Sequence, residues 1–286
     1  MILVTGAAGF IGSCLVDQIG EKAICADPRD ERMLTPDEAL RRLDLPSDIE
    51  VVYHMGAISS TTETDMLSLT NNNIAYTLKL LYLCLEKDIP FVYASSASVY
   101  GAATGVQKED QPQAPINGYA ISKSTVDNFV HQIISLNPDA KIYGLRYFNV
   151  YGHREHHKGD MASPVHKFTL QARETGKIKI FSGSHNYLRD FVHIDDVVKM
   201  TIAASQFAQP GIYNVGTGVS RSFAEVAAII ASETGAEIEE IPFPEHLKGR
   251  YQTHTCSDNS KISKIGGYTQ ERHDLERGIK KAVAKI

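Results

Sequence analysis

At 286 residues with 43% hydrophobic side chains, the chain is long enough for one sizeable core or for two lobes, which excludes disorder as the default. A formal charge of -5, with no run of like charge, offers no basic face for nucleic acid. The first strand begins at Ile2 with no basic-then-apolar leader, and no apolar stretch approaches the ~18 residues needed to span a bilayer, so a cytoplasmic protein with small-molecule or protein partners and no membrane is expected.

Short β-rich runs at Ile2-Val4, Ala23-Ala26, Val51-His54, Phe91-Ala94 and Lys141-Arg146 alternate with amphipathic helices at Gly12-Ile19, Asn73-Glu86 and Tyr119-Leu136. That alternation predicts an α/β fold with a doubly wound parallel sheet of the Rossmann kind, covered on both faces. After Tyr147 the pattern loosens into loops, followed by a helix at Pro164-Glu174, a strand at Lys177-Phe181 and a strand at Phe191-His193. A helix at Asp195-Phe207, a last sheet strand at Ile212-Asn214 and a helix at Phe223-Thr234 complete the reading. A dinucleotide-binding domain is expected from 1–148 with 190–215 and about 251–260, and a smaller α/β substrate-binding lobe from 149–189 with 216–250 and 261–286. Cys14, Cys25, Cys84 and Cys256 lack CxxC spacing and read as reduced structural thiols.

The first strand runs into Thr5-Gly-Ala-Ala-Gly-Phe-Ile-Gly12, and a helix follows. Gly6 allows a sharp turn, Gly9 admits a pyrophosphate close to the backbone, and Gly12 lets helix pack on sheet. Asp27 ends the second strand, where a carboxylate can accept from adenosine ribose hydroxyls and so favours NAD. Arg29 and Arg32 follow, and two readings stay open for them: a fork for a 2′-phosphate, or a solvated loop.

Tyr119 and Lys123 are one helical turn apart and share a face. A phenol is a poor base near neutrality unless a neighbouring ammonium stabilises the phenolate. The fourth strand runs into Ala94-Ser-Ser-Ala-Ser-Val-Tyr-Gly101, which places Ser96 ahead of Tyr119 and Lys123 on the chain.

The TGxxGFIG turn, the SSxxVYG segment and the YxxxK helix together resemble the extended short-chain dehydrogenases, which implies Ser96 as the hydroxyl that holds the reacting oxygen and Phe10 and Ile11 as further cofactor contacts. Further strings narrow the resemblance: Ser59-Ser-Thr-Thr-Glu63, Cys84-Leu-Glu-Lys-Asp-Ile-Pro-Phe91, Arg146-Tyr-Phe-Asn-Val-Tyr-Gly-His-Arg-Glu-His-His-Lys-Gly-Asp-Met-Ala-Ser163, Arg189-Asp-Phe-Val192 and Ile241-Pro-Phe-Pro-Glu-His-Leu-Lys-Gly-Arg-Tyr-Gln252. Over nearly the whole chain these resemble the ADP-L-glycero-D-manno-heptose 6-epimerases, which supply heptose for bacterial lipopolysaccharide.

The resemblance implies a homo-oligomeric isomerase that oxidises a nucleotide-diphosphate sugar, ADP-heptose first among candidates, and returns the hydride to the opposite face. It implies NADP, with NAD as the alternative, tightly bound and regenerated each turnover. Inversion needs proton transfer on two faces, and the resemblance pairs Tyr119 with Lys158 of the HKG motif, whose proton affinity would have to fall for it to act as a base. It also implies substrate contacts from Asn149, Arg189, Lys248, Arg250 and Tyr251. Asn73 matches a cofactor-side asparagine, or else caps a helix. No metal is expected from His153, His156 and His157. The chain departs from the family at those first two histidines and at Asp160, whose carboxylate would tend to hold Lys158 protonated.

The segment between Asp27 and Val51 is short for a doubly wound sheet. Leu43-Asp44-Leu45 reads as a remnant strand with Asp44 near adenine, while Thr35-Pro-Asp-Glu38 also reads as a capped helix start. The rival activities are a 4-epimerase, a dehydratase or a ketosugar reductase; a dehydratase would want an acidic residue where Ala97 follows Ser96. A sensor that kept the fold and lost the chemistry would be expected to lose Tyr119 or Lys123.

Overall fold

The computed structural model describes residues 1–44, 48–245, 253–265 and 272–286. Its first half alternates strand and helix: β1 Ile2–Thr5, α1 Phe10–Ile19, β2 Ala23–Ala26, α2 Pro36–Asp44, β3 Val51–His54, α3 Met66–Leu69, α4 Tyr76–Glu86, β4 Phe91–Ser96, β5 Val106–Gln107 and α5 Gly118–Leu136. The second half continues with β6 Ile142–Tyr147, β7 Asn149–Tyr151, α6 Pro164–Thr175, β8 Lys177–Phe181, β9 Leu188–His193, α7 Ile194–Ala204, β10 Gly211–Val215, β11 Ser220–Ser222, α8 Phe223–Thr234, β12 Glu237–Ile241, β13 Cys256–Ser257, α9 Ser260–Lys264 and α10 Leu275–Val283.

Six strands form a parallel sheet in the order β10-β6-β4-β3-β1-β2. Every residue of β3, β6 and β10 is buried, as expected of strands covered on both faces. One apolar core packs α1 and α7 on the sheet through Leu15, Val4, Tyr213 and Val197; the other packs α2, α4 and α5 through Leu43, Leu80, Phe91 and Val126. A third core joins α6, α8 and α10 through Val165, Val226 and Ile279 beside the β8-β12 pair. The β9 strand, longer than the predicted Phe191-His193, joins β7 and β11 in a separate three-stranded sheet.

One polar cluster lies within the apolar layers. Arg146 Nε donates to Asp127 at 2.8 Å with both side chains fully buried, and Tyr93 and Tyr100 hydroxyls join the pair. Removing one member of such a pair strands the other charge.

Two local readings are corrected. Leu43-Asp44 is the end of α2, not a remnant strand: Thr35 and Glu38 exchange capping bonds, Pro36 fills the first turn, and the helix runs to an exposed Asp44. Leu45 lies outside the described residues. The trace of extra pairing beside β2 is instead a single bridge between Ala26 and Leu34. The predicted Asn73-Glu86 helix opens on a π-helical turn, Thr70–Ala75, before α4 begins. Among the described residues, no helix is long and apolar enough to cross a membrane, and all four cysteines are free.

Candidate active site

The glycine turn between β1 and α1 is set by close backbone approach. Gly6 has φ +69°, and a Cβ there would fall 2.4 Å from the Gly56 nitrogen; one on Gly12 would fall 2.0 Å from the Gly6 oxygen. Gly9 opens α1 without a side-chain cap. The first-turn N–H groups therefore remain available for an anion at the positive end of the helix, so this cradle fits a dinucleotide pyrophosphate.

The turn opens on a cleft of about 1210 Å³ lined by the main sheet's strand ends, the loop after β7 and the α6-β8 region. That exceeds the roughly 300–1,000 Å³ of a single-ligand pocket, in keeping with cofactor and substrate side by side. Gly6, Gly9, Phe10, Ile11, Gly12, Asp27, Arg29, Ser96, Tyr119, Lys123, Asn149, Lys158 and Arg189 all line it. Lys248, Arg250 and Tyr251 lie outside the described residues.

Asn117 caps α5 by accepting from the Ala120 N–H, which fixes Tyr119 in the first turn and Lys123 one turn on. Tyr119 is half-buried; burial raises its phenol above the ordinary value, and a hydrogen bond with the Ser96 side chain works the other way. Lys123 is buried, its Nζ donating to the Ala94 carbonyl at 2.7 Å and standing 5.9 Å from the Tyr119 ring centre. Burial lowers its ammonium to about 8, against the pull of Asp127.

Asp27 differs from the expectation of a free ribose acceptor. Its Oδ1 accepts from the Arg29 backbone N–H and Nε, and its Oδ2 from Arg29 Nη2 at 2.6 Å and the Ala8 N–H. Burial raises the carboxyl, but the Arg29 bonds outweigh it and hold it below the usual range. Arg29 thus stands over the turn, its Nη2 3.2 Å from where a Gly9 Cβ would sit. Arg32 instead pairs with Asp30 and is exposed.

Asn73 neither caps a helix nor lines the cleft. The π turn directs it inward, where it accepts from the Ile58 N–H at 2.8 Å and donates to the Ile58 carbonyl and Ser122 hydroxyl. It ties the cleft-lining Gly56-Ser59 backbone to α5. Asp44 also stands away from the cleft, its carbonyl accepting from Lys87.

Lys158 lies at the cleft edge, its Nζ 4.8 Å from the Phe10 ring centre. Its carboxylate partner is Glu155 at 3.0 Å, not Asp160, whose carbonyl receives Lys167. Sequence reasoning missed Glu155, although it is buried; a glutamate among exposed-looking histidines gives no sign of burial. It also missed His54, held between the hydroxyls of Thr5 and Thr77 behind the turn and kept neutral by burial and by Lys123, its proton affinity lowered to about 3. At the far end of the cleft, Tyr187 stacks on Phe243 at 5.1 Å, giving an aromatic wall beside Arg189.

The three loop histidines do not converge: His153 faces Cys14, and His156 and His157 meet edge to face. Among the described residues, His193, Asp195 and His273 have ligand atoms within 4.8 Å. There Lys281 takes the Asp195 carboxylate, Asp196 takes His273, and the imidazoles lie tilted by 33° with centres 4.5 Å apart.

Comparison with known proteins places this geometry in context. Residues 2–216 match the NAD dependent epimerase/dehydratase family. The ADP-L-glycero-D-manno-heptose-6-epimerase of Alkalilimnicola ehrlichii is 39% identical, with 98% of this chain and 95% of that protein covered. Among solved structures, the ADP-L-glycero-D-manno-heptose-6-epimerase of Helicobacter pylori superposes with a TM-score of 0.87 at 30% identity, over 99% of this chain and 94% of that one. The UDP-glucuronic acid 4-epimerase of Bacillus cereus, in complex with NAD and a fluorinated UDP-sugar, gives 0.79 at 26% identity, over 99% and 98%.

Proposed function

The chain belongs to the NAD dependent epimerase/dehydratase family, and from that membership we propose that it is a nucleotide-sugar epimerase acting on ADP-glycero-manno-heptose at carbon 6. The observation that carries this reading is that two proton carriers, Tyr119 and Lys158, open on the same cleft as the glycine cradle. The relatives named for ADP-heptose support the sugar and the nucleotide.

When bound, the nicotinamide cofactor supplies a hydride acceptor that gives the hydride back. Tyr119 Oη takes the proton of the reacting hydroxyl, with Ser96 orienting that oxygen and Lys123 stabilising the phenolate. The ketone then presents its other face, where Lys158 Nζ supplies the proton. Asn149 and Arg189 hold the nucleotide diphosphate, the arginine suiting phosphate; the resemblance adds Lys248, Arg250 and Tyr251 as substrate contacts.

The cofactor is NADP in this reading, with NAD as the alternative. Asp27 has both oxygens engaged by Arg29 and Ala8, and Arg29 Nη1, outside that pairing, would be the group to meet a 2′-phosphate on a bound cofactor. The reading also makes the enzyme cytoplasmic, supplies heptose for lipopolysaccharide and divides the chain into the two lobes expected from sequence. Homo-oligomerisation finds support in the exposed Tyr82 of α4 and Ile121 and Phe129 of α5.

The test is to incubate the purified protein with both ADP-heptose epimers and a panel of UDP-, GDP- and dTDP-sugars, scoring products by NMR and identifying the co-purified cofactor. Epimerisation of ADP-heptose alone is expected. Turnover of another sugar, or a dehydrated or reduced product, contradicts it.

A further inference from the structure

The loop after β7 is anchored on two sides. Arg154, with φ +69°, reaches the Ser13 carbonyl at 3.2 Å and the Asp17 carboxylate at 2.6 Å, so the loop docks on the cofactor-side helix α1. At its other end Ser163 caps α6, its hydroxyl accepting from the His166 N–H. Glu155 lies between these anchors, fully buried. Its Oε1 accepts from the Gly152 N–H at 3.2 Å and the Ser163 hydroxyl at 2.6 Å; its Oε2 accepts from the Ser163 N–H at 2.7 Å and from Lys158 Nζ at 3.0 Å.

Three of those four donors are neutral. Among the described residues, the cation paired with this buried carboxylate is Lys158. A buried carboxylate without a counter-charge is costly, so loss of the Lys158 proton leaves Glu155 poorly compensated. The lysine side chain is 22% exposed and lines the cleft, so solvent reaches it.

On the proposed two-base reading, we infer that Glu155 is the positioning residue that fixes Lys158 Nζ between the two lobes and holds it as the resting proton donor. With the hydride returned to the carbonyl carbon, Lys158 Nζ gives one proton to the substrate oxygen, an N–H bond breaking as the O–H bond of the alcohol forms; the neutral amine stays hydrogen-bonded to Glu155 Oε2 until solvent reprotonates it, and Tyr119 Oη releases to solvent the proton it took. Tyr119 is then the group that accepts the first proton. The same carboxylate ties Lys158 to the cap of α6, the helix whose Lys167, Phe168 and Gln171 line the cleft.

A double-mutant cycle tests this with Glu155→Gln, Lys158→Met and the pair. Glu155→Gln is expected to lower kcat about a hundredfold with little change in KM, the scale of a misplaced reacting group. In the Lys158→Met background the same change should cost less than about twofold. Equal losses in both backgrounds, or a rise in KM alone, overturn the inference by making Glu155 scaffold only. Native turnover by Lys158→Met overturns the role of Lys158 itself, a separable failure. Should Glu155→Gln not fold, Glu155→Asp decides: the shortened carboxylate should draw back from Lys158 Nζ and lower kcat with KM kept, and an unchanged kcat overturns the inference.

Discussion

Lys123→Met isolates the cost of keeping a charge beside Tyr119. The ammonium is buried and its proton affinity falls from the ordinary 10.5 to about 8. Each tenfold change in proton affinity is worth about 1.4 kcal/mol, so holding the charge at pH 7 costs the fold about 3 kcal/mol. Methionine fills a similar volume, removes that cost, and orphans the Ala94 carbonyl that Lys123 serves, a loss of about 1–2 kcal/mol. The variant should therefore be more stable at pH 7 by about 1–2 kcal/mol, raising the melting temperature by roughly 2–6 °C, while turnover falls at least about a hundredfold.

The pH dependence gives the sign. Between about 8 and 10.5 the unfolded chain binds the proton that the folded chain has released, so wild-type stability gains from this group as pH rises through that window. The advantage of methionine should be full below pH 8 and gone above about 10.5. Urea melts of both proteins at pH 7 and pH 10 measure it. A variant that is less stable at pH 7, by a margin unchanged at pH 10, refutes the reasoning.

Tyr119→Phe should lower kcat by about 10²–10⁴ while the purified protein still carries its cofactor; loss of the cofactor instead would show that the tyrosine serves binding. Gly12→Ala puts a Cβ 2.0 Å from the Gly6 oxygen, so cofactor retention should fail and stability should drop by about 1–3 kcal/mol, read by absorbance of the released nucleotide and by melting. Arg29→Ser removes the guanidinium from both Asp27 oxygens and leaves each with one backbone N–H; calorimetry should show weaker NADP binding and stronger NAD binding, and parallel losses for both would count against the clasp as the source of selectivity.

Much of this site could be read before folding because its logic is local. The glycine turn, the SSxxVYG segment and the YxxxK pair each lie within one turn or helix, and their spacing alone sets what they face. Where two distant segments meet, the sequence was silent. Asn73 looks like a capping residue until the π turn redirects it toward Ile58 and Ser122. Asp27 looks like a ribose acceptor until Arg29 folds back on it. Asp160 is the nearer carboxylate on paper, yet the loop kink at Gly159, φ +50°, leaves Lys158 on Glu155. The Asp44 reading failed because a capping box outweighed the expectation of a third strand in a short connection.

In the proposed mechanism the hydride leaves and returns to the same carbon of the same sugar. ADP-glycero-manno-heptose carrying deuterium at carbon 6, mixed with unlabelled material bearing a distinguishable mass tag elsewhere, tests this. Epimerised product should keep its deuterium on carbon 6 of the molecule that brought it, with no net change in cofactor absorbance. Deuterium lost to solvent, or reduced cofactor accumulating with turnover, would contradict it.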